Sequence, residues 1–146
     1  MLKLSDELVQ DIANNIDMEM ICYLNIKTME PTYVFPEKFS ECLDEDLDEA
    51  SEFVYEHKED FIKIEKPDSH TAYKFMEAFI ETITDERIAE RLSDAISFAK
   101  PFRNFKDILA RYPDVQKEWY AFKNKKYIEY IKSEIVLHTK VRRGGE

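Results

Sequence analysis

The stretch MICYLNIK, residues 20–27, decides the fold class. Met20, Cys22, Leu24 and Ile26 alternate with Ile21, Tyr23 and Asn25, the period of a strand with one well-buried face. A polar link, KTMEP, leads to TYVFP, and the two runs read as an antiparallel hairpin whose second strand is limited by Pro31 and Pro36. FIKIEKP, residues 61–67, predicts a third strand with Ile62 and Ile64 inward and Lys63 and Glu65 outward.

The flanking sequence follows a helical period. Ser5 caps a helix over about Asp6 to Asn15, with Leu8, Val9, Ile12 and Ile16 on one face. A helical turn is predicted around Asp48 to His57. Asp68 or Ser69 starts a helix carrying Ala72, Tyr73, Met76, Phe79, Ile80 and Ile83. Thr84 and Asp85 start the next, striped by Ile88, Leu92, Ala95 and Ile96. Pro101 suits a first helical position, followed by Phe102, Phe105, Leu109 and Tyr112. Pro113 interrupts, and a long helix from about Asp114 carries Val115, Trp119, Phe122, Tyr127, Ile128, Ile131 and Ile135. The predicted fold is α+β: a small antiparallel sheet of about three strands packed with four to five helices, ending in a helical hairpin. No repeat and no linker divides the chain, so one domain is expected over residues 1–140, with a loose tail over 141–146.

The length of 146 residues fits one domain, and 44% hydrophobic residues suffice for a core. Two glycines leave little room for phosphate-cradling loops. Cys22 and Cys42 make neither a disulfide framework nor a zinc site. No signal peptide and no membrane span is legible, which predicts a cytoplasmic protein. The net charge of −10 is uneven: residues 1–99 carry −16 and residues 100–146 carry +6. The acidic total disfavours nucleic-acid binding, while the basic C-terminal third keeps a weaker form of it open.

Few residues point to chemistry. Asp44, Asp46 and Asp48 alternate, but the glycine of a calcium loop is missing, and a solvated acidic face or a patch for a basic partner explains the run from Glu41 to Asp60. His57 beside Glu56 lacks a metal-binding pattern. Cys22 reads as a small core side chain, and the acids around Cys42 disfavour its thiolate. Glu86 and Glu90, interleaved with Arg87 and Arg91, read as salt-bridged helix surface. No cofactor or metal is implied.

The segment FRNFKDILARYPDVQKEWYAFKNKKY, residues 102–127, mixes bases and aromatics, as a platform for single-stranded nucleic acid would. The helical period instead assigns Phe102, Phe105, Leu109, Trp119 and Phe122 to a packed seam and Arg103, Lys106 and Arg111 to other faces. Tyr112, Tyr120 and Lys123 remain as residues able to rim a groove.

The order of motifs resembles the bacterial uncharacterised protein family 0158. The resemblance covers about Met20 to Ile135: Ile64 to Pro67, Met76 with Phe79 and Ile80, Leu92 with Ala95 and Ile96, FRNFKDIL from Phe102, and WYAF from Trp119. Family members commonly carry Gly in the hairpin turn and before the Phe-Arg pair; KTME and SFAKPF have none, which implies a turn geometry using Pro31 and Pro101 instead. The family implies no catalytic residues. It singles out Arg103, Lys106 and Asp107, beside Trp119 and Tyr120, as a polar cluster that is either structural, through charge-assisted bonds, or functional. The expectation is a non-catalytic interaction or regulatory module with a protein partner. The alternatives are a nucleic-acid-associated protein using the basic C-terminal helices, or an enzyme with a site near Arg103, Lys106 and Asp107. The sequence does not set the oligomeric state.

Overall fold

The structure, a computed structural model, describes residues 5–35 and 54–144, with side chains through residue 139. Pro36, Cys42 and the acidic run before Val54 lie outside the described residues. The elements are α1 (Asp6–Asp17), β1 (Ile21–Asn25), β2 (Pro31–Val34), a single 3-10 turn (Lys58–Asp60), β3 (Phe61–Ile64), α2 (Ser69–Thr82), α3 (Glu86–Ile96), α4 (Pro101–Leu109) and α5 (Pro113–Gly144). The fold class is α+β, as the strand alternation requires. The chain forms two compact units: residues 1–66 with 127–146, and residues 67–126.

In the first unit the three strands are antiparallel in the order β2-β1-β3. Cys22 and Leu24, on one face of the central strand, are fully buried, and Cys22 pairs with Tyr33 on one side and Ile64 on the other. The Leu8 N–H donates to Ser5 Oγ at 3.1 Å, so Ser5 caps α1, and Val9, Ile12, Ala13 and Ile16 turn inward. The Tyr33 hydroxyl donates to Asp11, tying β2 to α1. Burial and that bond raise the Tyr33 hydroxyl well above the ordinary tyrosine range. Tyr127, Ile131 and Ile135 of α5 are buried in this unit, and Lys132 pairs with Asp6 at 3.9 Å.

The hairpin turn does without glycine. Asn25 Oδ1 accepts from the N–H groups of Lys27 and Thr28, and Met29 takes φ 62°. Lys100, just before α4, takes φ 60°. These two left-handed positions lie inside KTME and SFAKPF, two segments that contain no glycine. Pro31 and Pro101 take the next element's opening positions, as expected, but the turning is done by Met29 and Lys100.

The second unit is helical. Asp68 caps α2 by accepting from the Thr71 N–H at 2.8 Å, a bond that holds its carboxyl below the usual carboxylate range. Asp85 caps α3, accepting from Arg87 and Ile88. Met76, Phe79, Leu92, Ile96, Phe105, Leu109 and Trp119 form the core. Its centre is aromatic: Phe105 and Trp119 meet edge to face at 4.9 Å, and Phe79 lies 5.3 Å from Trp119 and 5.4 Å from Phe122. Phe102, expected in this seam, is instead 37% exposed. It has the right period but sits in the first turn of α4, beyond the reach of the core that Phe105 and Leu109 enter. At the other end of α5, residues 141–144, expected as loose tail, are helical.

Candidate partner-docking groove

In the second unit an open groove of about 400 Å³ runs between α3 and α4. Arg91, Asp94, Ala95 and Phe98 line it from one side. Asn104, Asp107, Ile108 and Arg111 line it from the other. Each set is spaced i, i+3, i+4, i+7, one stripe of a helix and its flanking turn. Two bonds fix how the stripes match. Arg91 Nη1 donates to the Tyr112 hydroxyl at 2.7 Å, and Asn104 Nδ2 donates to the carbonyls of Ala95 and Ala99 at 3.0 Å. The helices therefore run antiparallel, with Arg91 opposite Arg111, Asp94 opposite Asp107, and Phe98 opposite Asn104. The Asn104 bonds also complete carbonyls at the end of α3, where the chain must leave the helix to reach Pro101.

The groove floor is apolar, with Ile108 packed on the core and Ala95 half-buried. Its rim is charged and exposed. None of Asp94, Asp107 and Arg111 makes a side-chain hydrogen bond or ion pair among the described residues, and Arg91 bonds only Tyr112. The ion pairs expected between Glu86 or Glu90 and Arg87 or Arg91 are likewise absent among the described residues. Phe98 is 70% exposed at the open end.

The polar cluster expected from sequence is divided by the structure. Asp107 lines the groove; Arg103 and Lys106 are exposed on α4 and do not. Trp119 is 8% exposed and belongs to the core, while its neighbour Tyr120 is 57% exposed. Arg103, Lys106 and Asp107 make no charge-assisted bond among the described residues. Arg91, Asp94, Phe98 and Arg111 were not legible as a set. Their signal was the matching i, i+3, i+4, i+7 pattern on two consecutive helices, which looks like ordinary polar surface until the hairpin register is known.

The remaining chemistry lies elsewhere. Burial, then the nearby Asp11 charge, pushes the Cys22 thiol up to about 12, so it stays protonated at neutral pH. Among the described residues no group of three His, Cys, Asp or Glu side chains converges as metal ligands. No helix among them is long and apolar enough to cross a membrane.

Fold and groove define a small α+β protein with an exposed helical-hairpin face. The chain belongs to the uncharacterised protein family UPF0158, whose family model matches residues 2–136. Comparisons with curated proteins and with solved structures gave no match.

Proposed function

We propose that the chain is a non-catalytic interaction module of the bacterial cytoplasm, and that the α3–α4 groove is where it meets a protein partner. One observation carries this: an open apolar floor bordered by exposed charges that find no ion-pair partner among the described residues, with a large aromatic, Phe98, exposed at its end. A solvated helix surface gains little from an exposed phenylalanine, whereas an interface draws on such an anchor. The groove offers helix-sized spacing on both walls, which suits a helical element laid along it. A reduced, buried Cys22 fits a cytoplasmic setting.

The test is photo-crosslinking in cells from a reactive amino acid replacing Phe98, with exposed Lys74 of α2 as the control position. A discrete protein adduct from position 98 and none from position 74 is expected. No protein adduct, or an adduct with nucleic acid alone, overturns the reading.

A further inference from the structure

The charges along the groove are ordered. At one level stand Arg91 and Arg111; one turn along stand Asp94 and Asp107. The step is three residues on α3 and four on α4, about 4.5 to 6 Å of helix rise. Such a two-rung ladder is its own complement. When a second hairpin is turned by a two-fold axis that lies in the plane of the interface, midway between the rungs and parallel to them, each arginine rung lies over the other copy's aspartate rung. Ile108 and Ala95 then close against apolar groups near the axis, and Phe98 adds area at each outer end.

We infer that the occupant of the groove is a second copy of this chain, docked hairpin to hairpin about that axis. The inference rests on the reading of the groove as a protein-docking face and names its partner. A partner of one charge sign would satisfy one rung and be repelled by the other, whereas a second copy satisfies both. The side chains are also available for it: three of the four charges carry no bond of their own among the described residues, and the fourth, exposed Arg91, bonds only the uncharged Tyr112 hydroxyl. The face is short, since helices of 11 and 9 residues rise only about 16 and 13 Å. The dimer is therefore weak, at the small end of specific interfaces, and sensitive to salt.

Sedimentation equilibrium of the full chain tests this, from about 10 μM to about 1 mM protein and at about 50 mM and about 500 mM salt. The weight-average mass should rise from 17.4 kDa toward twice that value at low salt and fall back at high salt. The double variants Arg91→Glu/Arg111→Glu and Asp94→Lys/Asp107→Lys should each weaken self-association at least about tenfold, because each makes the ladder one sign. The full swap, Arg91→Asp/Asp94→Arg/Asp107→Arg/Arg111→Asp, should regain self-association yet fail to pair with the wild-type chain. All substitutions fall at exposed positions, and circular dichroism checks the fold. A wild-type chain that stays monomeric, double variants that associate as well as wild type, or a full swap that mixes freely with wild type each overturns the inference. The crosslink from position 98 separates the two readings. An adduct with a different protein, beside a monomeric wild type, overturns self-pairing and leaves the docking face standing; no protein adduct removes both.

Discussion

Arg91 donates a 2.7 Å hydrogen bond to the Tyr112 hydroxyl, joining the middle of α3 to the residue that ends the α4 turn. The bond aligns the hairpin and holds a guanidinium at the groove mouth. Tyr112→Phe removes the acceptor while keeping the ring. The expected loss is about 0.5 to 1 kcal/mol, at the low end for a charged bond because Arg91 is exposed. A urea midpoint unchanged from wild type would show that the bond contributes nothing.

Trp119 is the chain's one tryptophan and stands among Phe79, Phe105 and Phe122. Trp119→Ala should cost about 3 to 5 kcal/mol, the range for deleting a large buried aromatic. Tyr120→Ala, one residue on, should stay within about 0.5 kcal/mol because that ring is exposed. Thermal melts of the two variants compare them directly, and equal losses would contradict the assignment of Trp119 alone to the core.

Met29 and Lys100 are held at positive φ without the freedom of glycine. The left-handed conformation costs an ordinary residue about 1 to 2 kcal/mol, part of which glycine returns as unfolded-state entropy. Met29→Gly and Lys100→Gly should each stabilise by about 0.5 to 1 kcal/mol. Lower denaturant midpoints in both would contradict the backbone assignment.

Cys22 gives a pH dependence of defined sign. Its folded pKa lies above the unfolded value, so its contribution is complete below pH 9.0 and is lost as pH rises toward about 12. A shift of that size is worth up to about 4 kcal/mol at the top of the window. Cys22→Ala should lower stability at pH 8 by opening a small cavity, yet flatten the fall in stability above pH 9. Parallel slopes for wild type and variant between pH 9 and 11 would place the alkaline loss elsewhere, for instance at Tyr33 and Tyr127, both raised by burial.

Arg103 and Lys106 project from α4 with no bonded partner among the described residues. Arg103→Ala and Lys106→Ala should each change stability by less than about 0.5 kcal/mol. A larger loss in either, by urea titration, would reveal a structural role.

The elements were legible wherever a period and a stop signal coincided. Cys22 and Leu24 announce β1 by alternation, Asp68 and Asp85 announce α2 and α3 as caps, and Pro101 announces α4. Phe102 was misplaced because periodicity gives a residue's angle around a helix but not how far along the helix the core extends. The groove was hidden for a related reason. Arg91 and Arg111 are twenty residues apart, and only the hairpin register, set by Asn104 and Tyr112, makes them neighbours. In sequence, Arg103, Lys106 and Asp107 formed the denser cluster, and their i, i+3, i+4 spacing does set them side by side on α4, yet only Asp107 lies far enough round the helix to line the groove.

The burial of Cys22 in the central strand has a practical use. A thiol without solvent access is labelled only when the structure around it opens, so in a Cys42→Ser background its modification rate would clock the opening of the first compact unit. Trp119 emission reports on the second unit in the same tube. The chain thus carries one native probe in each half. Coincident transitions would mark a single cooperative body, and separate ones two independently melting parts.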